Sequence, residues 1–194
     1  MKSKSSAPKP FPVSQAWVLD NPVGRAQANR ILGRLRIGPG IRVVDIGCGP
    51  GRLTLPAARI VGGDGEVLAV DLQPEMLTIV ERRATAEGLQ NIRTVQAAAG
   101  SGALPAERFD LALLSFVLGE IPADRREAAT REVAVALRPG GTLVVVEGIF
   151  DPHRQSREAV LALVEPAGLR LEREDRRLTS SLFVFHKPAP ASGE

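Results

Sequence analysis

With 194 residues, 44% of them hydrophobic, the chain is long enough for one domain with a sizeable core. Its single cysteine, Cys48, excludes a disulfide framework and a cysteine-based metal site, and no run approaches the roughly 18 apolar residues of a membrane span. The net charge of +3 comes from arginines interleaved with Glu and Asp rather than gathered into a stripe, which argues against a nucleic-acid partner. Residues 1–12 carry three prolines and no apolar period, so a disordered tail is expected there. They also lack an apolar signal core, which points to a cytoplasmic protein. One domain is expected over 13–187, with a frayed tail at 188–194.

Within that domain, Val13, Trp17, Val18 and Leu19 join Phe11 in an apolar cluster ahead of an Asp20-Asn21-Pro22 turn. Trp17 either lies over a ligand mouth or simply packs on the domain. Arg25 to Leu35 puts Ala28, Ile31, Leu32 and Leu35 on one helical face, and Gly38-Pro39-Gly40 stops it. Val43 to Asp45 is an apolar, β-branched run expected as a strand buried on both faces. A helix follows over Leu53 to Val61, then a strand over 65–71. Pro74 sits at a helix N1 position, opening an amphipathic helix that ends at Gly88. Further strands are expected at Asn91–Gln96, Phe109–Ser115 and Thr142–Glu147, with a helix from Pro122 to Leu137 between the last two. A helix over Glu158 to Glu165 and strands at Leu169–Glu174 and Ser181–His186 complete the chain. Strands alternating with helices imply right-handed β-α-β units around a parallel sheet, an α/β fold.

The stretch V-V-D-I-G-C-G-P-G-R-L-T-L at 43–55 holds the strongest functional signal. Gly47, Gly49 and Gly51 alternate between a strand and a helix, where glycine admits positive φ and lets a ligand lie against the main chain. The helix beyond aims free N–H groups at the same place. The dinucleotide fingerprint G-x-G-x-x-G would need its third glycine at position 52, which is Arg52. The chain has D-x-G-x-G-x-G instead, and in this it resembles the class I S-adenosylmethionine-dependent methyltransferases. The likeness extends to Asp71 closing the second strand 20 residues after Gly51, to F-D-L-A-L-L-S at 109–115 and to L-R-P-G-G-T-L-V-V-V-E at 137–147.

The resemblance implies a Rossmann-like, mostly parallel seven-stranded sheet with helices on both faces and a C-terminal antiparallel hairpin. It implies S-adenosylmethionine as cofactor, with Gly47, Cys48, Gly49 and Gly51 meeting its methionine part through the backbone. Asp45 would hold the turn or the cofactor's amino group, Asp71 the ribose hydroxyls, and Leu72 the adenine. Ala98, with Ala99 beside it, stands where the family usually has an acidic residue for the adenine amine, so main-chain carbonyls or Ser101 would have to read the base. Ser115 to Glu120 fall at the carboxyl ends of the strands, where open α/β sheets bind ligands, and Ser115, like Ala98 and Ala99, is expected to meet the cofactor.

Glu120 and His153 are the candidate catalytic bases, the latter in D-P-H-R-Q-S-R at 151–157. Glu147 is a further candidate on the acceptor side, and His186 is expected to be structural. The partner expected is a small or medium-sized methyl acceptor, neutral to cationic because carboxylates border the site, with no membrane, no nucleic acid and no metal. Monomer and homodimer both stay open. The alternatives are a non-catalytic cofactor-binding or regulatory module of the same fold, an RNA methyltransferase and a nicotinamide oxidoreductase. An RNA methyltransferase would need a clustered basic face, and Arg52 counts against the oxidoreductase.

Overall fold

The computed structural model describes residues 12–15, 21–177 and 179–189. The expected tails, and the cluster around Trp17, lie mostly or wholly outside them. Among the described residues a single sheet runs in the order β3-β2-β1-β4-β5-β7-β6. Its strands are β1 (Arg42–Ile46), β2 (Glu66–Asp71), β3 (Ile92–Gln96), β4 (Phe109–Ser115), β5 (Leu137–Gly148), β6 (Arg170–Arg176) and β7 (Ser180–His186). The first five pair in parallel, while β7 runs antiparallel to both β5 and β6. This is the doubly wound sheet with a C-terminal antiparallel hairpin that the sequence implied.

The helices are α1 (Pro22–Leu32), α2 (Thr54–Val61), α3 (Pro74–Ala86), α4 (Arg126–Ala136) and α5 (Arg157–Val164). Successive strand residues point to opposite faces, and the strands β1, β2 and β4 are apolar on both. Val43, Val67, Leu111 and Leu113 pack with Ala28, Ile31 and Leu32 of α1 and Ala57, Ala58 and Val61 of α2. Ala69 on the same face meets Leu77 and Val80 of α3. Val44, Leu68, Ala112 and Leu114 face the other way, toward Ala129 and Val133 of α4 and Val160 and Val164 of α5. Burial on both faces fixes each strand's register, since a one-residue slip would exchange the two cores.

Several boundaries differ from the sequence reading. The helix expected to open at Pro122 begins at Arg126, after a 3-10 turn at Ala123–Arg125, and two further differences have a local cause. Helix α1 begins at Pro22 rather than Arg25 and stops at Leu32. Asn21 caps it, accepting from the Gly24 N–H at 2.9 Å, and Pro22 at N1 brings a preset φ and lacks an N–H that would go unpaired. What looked like a turn is therefore a helix start. Strand β5 begins at Leu137, before the R-P-G-G expected as a turn. Leu137 pairs with Phe109 and Thr142 with Leu111, so residues 138–141 bulge opposite Asp110 alone. Gly140, at φ +77°, makes the bulge possible, and the Gly140 N–H donates to the Lys187 carbonyl at 2.9 Å.

Candidate functional site

The carboxyl ends of β1, β2, β3, β4 and the loop after β5 open on one cleft of about 750 Å³. It lies where the strand order reverses between β1 and β4, the usual ligand position in such sheets. The glycine turn forms its floor. The N–H groups of Gly47 and Cys48 both donate to the Val70 carbonyl, at 2.8 and 3.0 Å, which ties the turn to β2. Gly47, Gly49 and Gly51 all have positive φ. A Cβ at Gly47 would lie 2.0 Å from Val117 Cγ2, so the turn also presses directly on the loop after β4. Gly51 does not line the cleft. A Cβ there would meet Val80 and Leu55 at 3.0 and 3.2 Å, so this glycine seats the turn on α2 and α3.

Two carboxylates hold the turn. Asp45, 2% exposed, accepts from the Thr54 hydroxyl at 2.6 Å. Burial pushes its acid up to about 6, against the Thr54 hydrogen bond that lowers it. Asp71 accepts from the Gly49 N–H at 2.8 Å through Oδ2 and from the Gln73 N–H at 2.9 Å through Oδ1. It thereby joins the turn to the start of α3. Cys48, buried and also lining the cleft, has its thiol pushed well up by that burial.

Beside Asp71, Leu72 is 54% exposed and faces the cleft, with Ala97, Ala98 and Ala99 also lining it. Ser101 is not among the lining residues; its N–H donates to the Ala98 carbonyl at 3.1 Å. The alanine loop is held from behind by Glu132 of α4, which accepts from the Gly100 and Leu104 N–H groups at 2.6 and 3.0 Å. A carboxylate thus does serve this loop, but as a brace from a distant helix.

The far wall is built by the loops after β4 and β5. Ser115, Phe116, Val117, Glu120, Asp151 and His153 all line the cleft. The Ser115 hydroxyl is buried and lacks a hydrogen-bond partner among the described residues. Half-buried Glu120 has its acid raised, first by burial and then by Asp151, while His153 opposes the rise. His153 stands exposed at the rim, its N–H donating to Asp151 Oδ1 at 2.8 Å. A Cβ at Gly119 would fall 1.9 Å from the His153 carbonyl oxygen, so the two loops lie in direct contact. Arg126 fastens them, donating to the Gly119 and Ile121 carbonyls and to Gln155 Oε1, each at 2.9 Å.

Glu147, the other acceptor-side candidate, does not line the cleft. It is 3% exposed and accepts from the Gln155 N–H at 3.0 Å, while its Oε1 has no partner among the described residues. Burial lifts its acid to about 7. Its work is to anchor the loop that carries His153.

The expectation that carboxylates alone border the acceptor side is also corrected, because Arg52 and Arg125 line the same cleft. The sequence reading used Arg52 only as a missing glycine and did not single out Phe116. Phe116 takes φ +60°, and the Arg52 guanidinium stands 4.7 Å above its ring centroid. Spacing alone gave no sign of this pair; the visible hint was a cation placed directly after the glycine turn.

With this geometry in place, residues 43–141, about half of the chain, match the model of the methyltransferase domain family. The chain belongs to that family. A ubiquinone/menaquinone biosynthesis C-methyltransferase UbiE of Azotobacter vinelandii is 40% identical over 109 residues, which are 56% of this chain and 42% of that one. The chain spans less than half the length of the curated relatives it matches. Among solved structures, a SAM-dependent methyltransferase from Aquifex aeolicus superposes with a TM-score of 0.82 at 21% identity, over 91% of this chain and 99% of that one. The [4+2]-cyclase SpnF superposes with a TM-score of 0.75 at 17% identity, over 86% and 82% of the two chains. These two establish the methyltransferase-like fold.

Proposed function

We propose that the chain binds S-adenosylmethionine in this cleft and transfers its methyl group to a small molecule. One observation carries the reading: the glycine turn, the Asp71 carboxylate and the candidate bases line a single cleft at the carboxyl ends of the strands. Its volume falls within the range of pockets for small-molecule ligands. The residues fit the cofactor chemically. A carboxylate has about four acceptor positions, so Asp71 keeps capacity for vicinal hydroxyls beyond its bonds to Gly49 and Gln73. Leu72 and the Ala97–Ala99 backbone offer an apolar surface and main-chain groups to a flat base. Gly47 to Gly49 present backbone, with Asp45 beneath to favour a cationic amine. An all-parallel dinucleotide sheet is disfavoured by the antiparallel β7.

When bound, the sulfonium supplies an activated methyl group that carries its own leaving group. The protein's tasks are then to position the acceptor and, where it carries an acidic proton, to remove that proton. Glu120 suits the second task, because burial and the neighbouring Asp151 raise its proton affinity. His153, across the loop contact, is the second base at the rim. The identity to UbiE-type enzymes supports a carbon acceptor on a small molecule. The cyclase of the same fold is a reminder that fold by itself does not license methyl transfer.

Incubation with methyl-labelled S-adenosylmethionine and a fractionated small-molecule extract tests the reading. Label is expected in an extractable small molecule with the wild-type protein. Asp71→Ala should weaken cofactor binding by about 1.5–3 kcal/mol, the range for hydrogen bonds to a charged group, and lower labelling in proportion. Binding without transfer to any fraction would favour the non-catalytic module, and label in RNA would favour the nucleic-acid reading.

A further inference from the structure

Resting on the proposed reading, we infer that the acceptor carries a carboxylate or phosphate oxyanion, held by the Arg52 guanidinium on the Phe116 wall of the cleft. Arg52 lines the cleft and has no carboxylate within ion-pair distance among the described residues. Elsewhere Arg34, Arg59, Arg93, Arg108, Arg138 and Arg157 are each paired with an acidic side chain. A cation taken out of water without a counter-charge is costly, and burial does make this guanidinium harder to keep protonated.

Its nearest acid does not supply the missing partner. Asp45 contributes attraction, but its carboxylate is engaged by the Thr54 hydroxyl, and burial raises its proton affinity. What holds Arg52 in place is neutral: Gln27 Oε1 accepts from Nη1 at 3.3 Å, and the Phe116 ring lies beneath the guanidinium. Guanidinium offers five N–H donors in a fixed fork that matches an oxyanion, and Gln27 uses one of them.

The second observation is the backbone of Phe116. A bulky residue at φ +60° is costly and persists only where its surroundings demand it. Here the Phe116 N–H donates to the Val146 carbonyl at 2.8 Å, and a Cβ at Gly148 would lie 2.8 Å from the Phe116 ring. The strained residue thus wedges its ring between β5 and Arg52 and fixes the guanidinium at the cleft wall. Arg125, exposed on the same cleft, adds a second positive charge near the mouth. A neutral acceptor would gain at most ordinary hydrogen bonds from these arginines, and a cationic one would be repelled.

The probes are benzoate and phenyl phosphate, with neutral benzamide as control, each titrated calorimetrically into the full chain saturated with S-adenosylhomocysteine. At least one oxyanion is expected to bind about tenfold or more tightly than benzamide. Which of the two binds better separates a carboxylate acceptor from a phosphate acceptor. Arg52→Gln should remove that preference while S-adenosylhomocysteine still binds, and Arg52→Lys should restore part of it. Equal binding of charged and neutral probes, or no binding of either oxyanion, overturns the inference, as does loss of S-adenosylhomocysteine binding in Arg52→Gln, which would assign Arg52 to the cofactor half. Failure of the wild-type chain to bind S-adenosylhomocysteine would instead overturn the functional reading beneath it.

Discussion

Gly47 is the residue on which the site's geometry turns. Its φ of +66° is one that a side chain adopts at a cost, and a Cβ would sit 2.0 Å from Val117 Cγ2. Gly47→Ala combines backbone strain with overpacking, each a destabilising effect of about 1–3 kcal/mol. Chemical denaturation should therefore show a lower midpoint, and Val117→Ala in the same chain should recover part of the loss by making room. Recovery stays incomplete because the φ is unchanged. A single variant as stable as wild type would mean that the turn and the loop after β4 are less tightly pressed together.

At the scale of elements, the loop after β5 is held by a buried acid. Glu147 has an ordinary pKa of 4.5 and is lifted to about 7 in the folded chain, mainly by burial. Between these values the folded state holds a proton that the unfolded state has released, so stability falls as pH rises through that window. Glu147→Gln removes the titration and keeps an acceptor for the Gln155 N–H. Melting temperatures of the two proteins should be close at pH 4.5, and the variant should gain on wild type up to about pH 7 and level off above it. Parallel melting curves across that range would contradict the assignment. This loop also marks a limit of the sequence. D-P-H-R-Q-S-R identified His153 as a candidate, but nothing in it foretold the Gly119 contact or the Arg126 fastening that bring it to the cleft.

For the whole molecule, the parallel strands were legible because V-V-D-I, V-L-A-V-D and L-A-L-L-S are short, mostly apolar runs at consecutive positions, which a doubly covered strand requires. Their shortness, with glycines close to the first two, sets them apart from buried helices. The order of the sheet and its antiparallel end came with the family resemblance. R-P-G-G was misread because proline and glycine signal both a turn and a bulge, and only the pairing of Leu137 with Phe109 and of Thr142 with Leu111 on either side separates them. That Asp45, Gly47, Gly49 and Asp71 come together at one cleft was legible, because their spacing is local to two strand ends. On the far wall Ser115, Glu120 and His153 were visible as candidates, whereas Arg52 with Phe116, and Glu132 behind the alanine loop, were not, since they act through contacts between elements distant in sequence. Among the described residues no helix is long and apolar enough to cross a membrane.

The central claim is that the cleft is a site for S-adenosylmethionine rather than for a dinucleotide. Calorimetric titration of the chain with S-adenosylhomocysteine and, separately, with NAD tests it most directly. A saturable one-to-one heat with S-adenosylhomocysteine and none with NAD is the predicted result; saturable heat with NAD and none with S-adenosylhomocysteine would contradict it.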